Sequence, residues 1–388
     1  MAQPISTVRY LLVLNAGSAT LKWALYEAGS LHEIGRGVVE RIGTKASFSE
    51  FRLQGTTLVR EQNFRDHKAA MAYVFKALAW HKFKHTSIAA VGHRVVHGGE
   101  HHQPMVLNAA GLRSLERLSP LAPLHNPIEL LVARMAKRVL PRAKQVAVFD
   151  TSWFVELPEH ARSYALPLEL TRRYKIKRYG FHGISHAYVA QEASRRLAKP
   201  LAALNLITCH LGSGSSVTAV REGRAVDTSM GYTPLEGLVM GTRAGDLDPG
   251  IVLFLAQQRG MTSAKLRKLL YEESGLKGVA GVADMREVLV RAGYEVLGFK
   301  ALEKVSVAER RAAQLAFKMF LYRVQKYIGA YAAILGHVDA IVFTGGIGER
   351  NEAVRNLIMR GLPTLSGIPV LAIPTNEELA IAREIVNR

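Results

Sequence analysis

Asn15, Gly17 and Ser18 close the apolar run of LLVLNAGSATLKWALY (11–26), and His210, Gly212, Ser213 and Gly214 close that of LNLITCHLGSGSSVTAV (204–220). Both segments read strand, Gly-Ser turn, strand. Glycine adopts torsions closed to other residues and lets the main chain approach a ligand, and successive N–H groups in such a turn form a concavity for anions. Arg243, in the GTRAGDLDPG that follows, adds a planar fork suited to a phosphoryl group. One such turn is ordinary hairpin chemistry. Two of them, about half the chain apart, predict phosphate handling and two similar halves.

VDAIVFTGGIGERNEAVRNLI (338–358) is a third element of this kind, expected as a strand, a glycine run at Gly345, Gly346, Ile347 and Gly348, and a helix opening with Glu349 that cradles a nucleotide at its N-terminus. Neither GxxxxGK[ST] nor GxGxxG is present, so a P-loop and a standard dinucleotide site are excluded. Histidines crowd HRVVHGGEHH (93–102) and YGFHGISH (179–186), but their spacing matches no strong zinc pattern and HExxH is absent. Asp150 ends the strand QVAVFD, where a carboxylate can face a ligand cleft or cap the next turn.

The elements that must position these residues form an α/β pattern. Apolar strands are expected at 9–14, 88–96, 145–149, 204–209, 215–220 and 339–344, with helical patterns between most of them. The clearest helix starts at the capping box Ser306–Glu309 and carries Phe317, Leu321, Val324, Ile328, Tyr331 and Leu335 on one core-facing stripe before Gly336. No linker divides the chain, so the boundary is placed near Asp150.

With 388 residues, 48% of them hydrophobic, the chain is long enough for two packed domains. Its one cysteine, Cys209, excludes an internal disulfide framework and reads as a buried thiol in a reducing compartment. The N-terminal apolar run is broken at Asn15, short of a secretory core or membrane span, so a cytoplasmic location with no membrane partner is expected. The net charge of +19 favours anionic ligands. Its basic residues are spread at helical spacing along 133–144, 170–180, 263–270 and 308–314, which reads as solvated faces and not as a nucleic-acid site.

In this order, VLNAGSATLK, GHRVVHGGE, LAPLHNP, VFDTSW, RYGFHGISH, ITCHLGSGSS, DTSMGYTPLEGLVMGTRAGDLDPG and FTGGIGER closely resemble the motif set of the acetate kinase family, from about residue 10 to 360. The resemblance implies two ribonuclease H-like (actin-like ATPase) α/β domains around an ATP cleft, in a homodimer. An N-terminal domain of 1–150 plus 352–388 would take the acyl substrate and 151–351 the nucleotide. The implied reaction is reversible transfer of the ATP γ-phosphoryl group to acetate, giving acetyl phosphate and ADP, with Mg²⁺ or Mn²⁺. A propionate kinase and a nucleotide-switched ATPase of the actin or Hsp70 type are the alternatives.

Residue by residue, the resemblance implies that Arg94 and Arg243 flank the phosphoryl group, that His182 donates to it and that His125 assists. Asn15, Asp150 and Glu349 would place Mg²⁺. Val96, Leu124, Phe181 and Pro234 would line a small apolar acyl pocket. Lys22, His210, Gly212, Ser213, Gly214, Asp284, Met285, Arg286, Gly345, Gly346, Ile347 and Gly348 would contact nucleotide. The chain departs from the pattern at Ala19, at Ser213 where asparagine is usual, at Ala244 and at Arg350. Ser213 and Arg350 bear on nucleotide affinity and donor preference.

Overall fold

The computed structural model describes residues 9–123, 125–296, 298–299 and 304–386. They fall into two compact units, one of residues 1–155, 183–185 and 376–388, the other of 156–182 and 186–375.

The first unit is built on an eight-stranded sheet. β1 (Tyr10–Ala16), β2 (Thr20–Glu27), β3 (Glu33–Glu40), β4 (Phe48–Leu53) and β5 (Thr56–Glu61) form an antiparallel meander; β6 (Ile88–Val95) and β8 (Lys144–Phe149) continue parallel to β1, and β7 (Met105–Val106) closes the edge. β1 alternates across the sheet. Leu12 and Leu14 pack on one face with Trp23, Met71, Val74 and Val132, while Leu11 and Val13 pack on the other with Tyr26, Ile381 and Ile385. Burial on both faces is what a nearly continuous apolar run such as LLVL implies.

The second unit carries five strands in the order β11-β10-β9-β12-β13: β9 (Leu206–Leu211), β10 (Ser215–Arg221), β11 (Arg224–Thr228), β12 (Ala340–Thr344) and β13 (Val370–Ala372). β9 and β10 form an antiparallel hairpin, and β12 and β13 follow parallel to β9. The same order and directions appear in the first unit as β3-β2-β1-β6-β8, so each unit holds the same five-strand core. The helix Val307–Leu335 starts at the expected capping box and buries Phe317, Val324, Ile328, Tyr331 and Leu335 beside Ile207 and Cys209, with Leu321 partly buried and Gly336 closing it at φ 74°.

The helix Glu352–Arg360 and β13 lie in the second unit, because β13 pairs with β12 at Ile341↔Val370 and Val354 and Ile358 join that unit's core. The return to the first unit therefore starts at Asn376, later than the expected 352. The glycine run after β12 also differs from expectation. It is not a loop before a helix; Gly345–Arg350 is itself a short helix that follows the strand directly. Gly345 makes the junction with φ +74°, and a Cβ there would lie 2.6 Å from the Leu211 carbonyl oxygen, so only glycine fits.

Candidate active site

In the first unit the candidate side chains Asn15, Arg94 and Asp150 gather at the ends of β1, β6 and β8. Arg94, one residue before the end of β6, sends Nε to both oxygens of Asp150 at 3.1 Å, and its Nη1 donates to Asn15 Oδ1 at 3.2 Å. The Asn15 amide donates in turn to Glu377 and Glu378, each at 3.0 Å, and the Arg94 guanidinium lies 3.8 Å from Glu377. Arg94 is 15% exposed and Asp150 1%. Burial works against the arginine's charge, but Asp150 and Glu377 outweigh it and hold the guanidinium well above its ordinary range. Asp150 thus turns its carboxylate to Arg94, and it is Ser152 Oγ, donating to Phe149 O at 2.8 Å, that holds the turn after β8.

Behind this cluster the helix Asn126–Val139 holds the chain as it leaves β6. Asn126 clasps His97 at both backbone groups, accepting from its N–H at 3.1 Å and donating to its carbonyl at 3.0 Å, and Glu129 accepts from the Val96 N–H at 2.9 Å. Glu129 is 1% exposed, and its second oxygen has no hydrogen-bond partner among the described residues. Burial pushes its carboxyl up to about 8, against the pull of Arg94 and of the Val96 N–H. His125 precedes the helix and its side chain does not cap it. Of the residues expected to line an acyl pocket, Val96 is buried in this unit, Phe181 and Pro234 are buried in the second, and Leu124 lies outside the described residues.

The first Gly-Ser turn is held by Gly17 N–H donating to Thr20 O at 2.9 Å, while His67 Nε2 donates to Gly17 O at 2.8 Å. Lys22, expected as a nucleotide contact, pairs with Asn15 across the hairpin of the first unit and is exposed.

The second unit brings together His182, His210, Gly212, Ser213, Gly214 and Arg243. Gly212 N–H donates to Gly214 O at 3.1 Å, and Gly241 N–H donates to Ser213 O at 3.1 Å, tying the turn to the segment that leads into Arg243. Arg243 Nη1 donates to Pro234 O at 3.0 Å. A Cβ on Gly214 would lie 3.2 Å from His182 Nε2, a tight contact, and 3.6 Å from Arg243 Nη1, an ordinary one, so glycine gives the imidazole room beside the turn. His182 stacks on His210 with centroids 4.3 Å apart. It also sits at φ 60°, ψ 22°, a left-handed conformation that costs a residue with a Cβ about 1–2 kcal/mol.

The remaining candidates are more dispersed. Asp284 caps the helix Met285–Ala292 and forks onto Arg286 at 2.6–3.2 Å, while the Met285 side chain is buried in the core. Gly346 is open, with nothing within 4 Å of a Cβ, and Ile347 packs on the core. Glu349 lies 3.2 Å from Arg350 in the second unit; the carboxylates beside Asn15 are those of Glu377 and Glu378. Those two glutamates were missed in the sequence, where TNEELA reads simply as an acidic helix start. Among the described residues no three His, Cys, Asp or Glu side chains are placed to hold a metal. Buried His93 bonds Gln145 at 2.8 Å and is lowered to about 4 by burial, which makes it a structural residue.

The family model that matches the chain is that of the acetokinase family, over residues 10–368. A similar curated relative is an acetate kinase of Caldicellulosiruptor bescii, 41% identical over 403 aligned positions that cover 96% of this chain and 98% of the relative. Similar solved structures include a propionate kinase of Francisella tularensis (TM-score 0.87, 36% identity, 97% of this chain and 98% of that one). Another is an acetate kinase of Porphyromonas gingivalis (TM-score 0.81, 35% identity, 98% and 100%).

Proposed function

Since the chain belongs to the acetokinase family, we propose that it transfers the γ-phosphoryl group of ATP reversibly to acetate, giving acetyl phosphate and ADP by direct in-line displacement. The observation that carries this reading is the Arg94–Asp150 pair. An alcohol acceptor needs a base to take its proton, whereas a short carboxylic acid, with a pKa near that of Glu at about 4.3, is already ionised. The acceptor side then needs a fixed cation to overcome repulsion between anions, and a carboxylate locked onto its arginine supplies a fixed cation and not a free base.

On this reading Arg94 holds the acceptor carboxylate and the phosphoryl group from the first unit, with His125 assisting. His182 and Arg243 neutralise charge on the equatorial oxygens from the second. Val96, Leu124, Phe181 and Pro234 surround the methyl group. The turn Gly212–Gly214, with His210, Asp284, Arg286 and the glycines of 345–348, receives the nucleotide. Lys22, exposed on β2, and the backbone of Met285 and Ile347 are carried as nucleotide contacts on resemblance alone.

The oxygens near Asn15 are of the hard kind magnesium takes: the Glu377 and Glu378 carboxylates, which accept from the Asn15 amide nitrogen, and Asn15 Oδ1 and Asp150, which both accept from Arg94. Magnesium commonly keeps several waters and takes one or two carboxylates plus substrate phosphate, so a ready-made cage of three acids is not required. Glu349 is carried as a further ligand on resemblance alone. When bound, the ion would neutralise charge on the transferring phosphates; Mn²⁺ would serve similarly. We further propose a homodimer working in the cytoplasm, with no nucleic-acid or membrane partner. No helix among the described residues is long and apolar enough to cross a membrane.

Incubation with Mg-ATP and acetate, propionate or butyrate, trapping acyl phosphate with hydroxylamine, tests the reading. Acetate is expected to give the strongest signal and each added methylene a weaker one, since a methylene is discriminated by about 1–3 kcal/mol. The likeness to a propionate kinase makes a stronger propionate signal the second reading. ATP hydrolysis without any acyl phosphate would replace both with a switch ATPase.

A further inference from the structure

The loop that carries Arg243 is closed at its neck by carboxylates that the reaction as described does not use. Gly237 and Asp246 join its two ends reciprocally: the Gly237 N–H donates to Asp246 Oδ1 at 2.8 Å, and the Asp246 N–H donates to Gly237 O at 3.0 Å. Each end is then anchored to a different element of the second unit by an arginine and a tyrosine. Asp246 Oδ2 accepts from the Tyr327 hydroxyl at 2.8 Å and is paired with Arg323 Nη1 at 2.9 Å, both on the helix Val307–Leu335. Glu236, the residue before Gly237, accepts from Arg178 Nη2 at 2.7 Å on one oxygen and from the Tyr164 hydroxyl on the other. Arg178 Nη1 also donates to Thr228 O at 3.0 Å, and the Tyr164 oxygen accepts from the Tyr232 N–H at 2.9 Å, so the same pair spans the stretch 228–236 that carries Pro234.

The chemistry of these anchors is specific to carboxylates. An ionised carboxylate accepts at both oxygens and donates nothing, whereas an amide of the same size has one accepting and one donating end. Asp246 faces donors on both sides, the Gly237 N–H at one oxygen and Tyr327 with Arg323 at the other. Whichever way an Asn side chain turned there, it would set a donor against a donor. Glu236 is in the same position between Arg178 and Tyr164.

The neck governs Arg243 from two directions. The guanidinium donates from Nη1 to Pro234 O at 3.0 Å, on the chain just before Glu236, while its backbone lies inside the loop three residues before Asp246. A shift of either carboxylate therefore moves the carbonyl that the fork leans on relative to the backbone from which it projects. The tip of the loop is tied separately, the Gly241 N–H to Ser213 O and the Ala244 N–H to Leu270 O, each at 3.1 Å. We propose that Glu236 and Asp246 are positioning residues that, through Arg178, Tyr164, Arg323 and Tyr327, clamp the neck of the loop 237–246 and hold the Arg243 fork in the orientation that meets the transferring phosphoryl group. The use made of Arg243 rests on the acyl-kinase reading; the clamp itself does not.

The test is a pair of double-mutant cycles on the full-length protein, with Asp246→Asn and Glu236→Gln made alone and together with Arg243→Ala, and with turnover read in the ATP-forming direction by luminescence. In the wild-type background D246N and E236Q are each expected to lower kcat about 10- to 100-fold, the scale of a small misplacement of a group at the reacting centre, with KM for ADP changed less. In the Arg243→Ala background the same substitutions are expected to cost less than about threefold, because a residue that acts through Arg243 has nothing left to act on. Loss by the same factor in both backgrounds would make the clamp a matter of folding alone and overturn the proposal. Hydrogen exchange over residues 237–246 reads the clamp without turnover, and D246N is expected to exchange there about tenfold faster than wild type. Unaltered exchange in D246N, or faster exchange with unaltered kcat, would also overturn the proposal. A wild-type protein that turns over no acyl phosphate, with a loop that still loosens in D246N, would remove the acyl-kinase reading and leave the clamp standing.

Discussion

The two Gly-Ser hairpins are built alike and surrounded differently. β1–β2 and β9–β10 occupy the same place in the same five-strand order. Around the first lie full charges already matched to one another, Arg94 with Asp150 and Glu377, joined through Asn15. Around the second lie the stacked imidazoles of His182 and His210 and the hydroxyls of Ser216 and Thr208, with Arg243 tied by one guanidinium nitrogen to a backbone carbonyl. One fold thus supports two kinds of side-chain cluster. The first fixes a cation by pairing it, so its stability and its chemistry are coupled. The second orients donors through neutral hydrogen bonds, so its chemistry can be lost with little effect on folding.

Truncating the two arginines exposes that difference most strongly. Arg94→Ala and Arg243→Ala are each expected to lower kcat by several orders of magnitude, on the scale of about 10³–10⁵ known for arginines at phosphoryl transfer. Urea unfolding should separate them. Arg94→Ala strands the buried carboxylate of Asp150 and is expected to cost about 3–5 kcal/mol, whereas Arg243→Ala should cost less than about 1 kcal/mol. Equal stability of the two variants would show that the contrast between the two clusters is not energetic.

Next in size is the pH response of the first cluster. With Glu129 at about 8 in the folded protein and near 4.3 when unfolded, folding takes up a proton between these values. The unfolded chain then binds fewer protons, so this group's contribution to stability falls as pH rises from about 4.3 to 8 and levels off above, a loss on the order of a few kcal/mol. Thermal melts at pH 6 and 8.5 are expected to show a smaller loss for Glu129→Gln than for the wild type. Equal losses would mean that Glu129 stays ionised in the fold.

Two smaller effects sharpen the comparison. Glu377→Gln keeps its size and one oxygen but removes a charge beside Asn15, and is expected to raise the Mg²⁺ concentration for half-maximal rate about tenfold, measured at saturating ATP. Ser213→Asn lengthens the polar reach of an exposed turn residue and should lower KM for ATP by a few-fold, the scale of one added hydrogen bond at about 1 kcal/mol. A response of KM for acetate and not for ATP would place Ser213 on the acceptor side.

What the sequence disclosed were features carried by local pattern. The paired hairpins, β6, β8 and β12, and the helix from Ser306 follow from apolar periodicity, glycine placement and a capping box, all read within a few residues. Strand β3, EIGRGVVE, escaped because Arg36 and Glu33 interrupt the alternation and pair with each other on the surface. The helical glycine run escaped because glycine at φ +74° is chosen by the Leu211 backbone, which is remote in sequence. Arg94, Asp150 and Asn15 stand at strand ends where position hints at a site. Glu377 and Glu378 reach them across 362 and 363 residues. Glu129, within a helix, carries no local sign that tertiary packing will bury it.

The C-terminal helix Glu377–Val386 brings those late glutamates into place, and it does so through strand β6. Gly92 has no room for a Cβ because Ile381 and Ile385 press within 2.6 Å of where it would stand, and both isoleucines are fully or almost fully buried. The first unit therefore cannot be finished in the order in which it is made. A ribosome that has released residues 1–155 has produced a sheet with one face still wanting its cover, and the second unit must be synthesised in full before that cover emerges. Although domains generally fold N-terminal first during synthesis, this chain completes its first unit last, and no nascent fragment joins Asn15 to Glu377 prematurely.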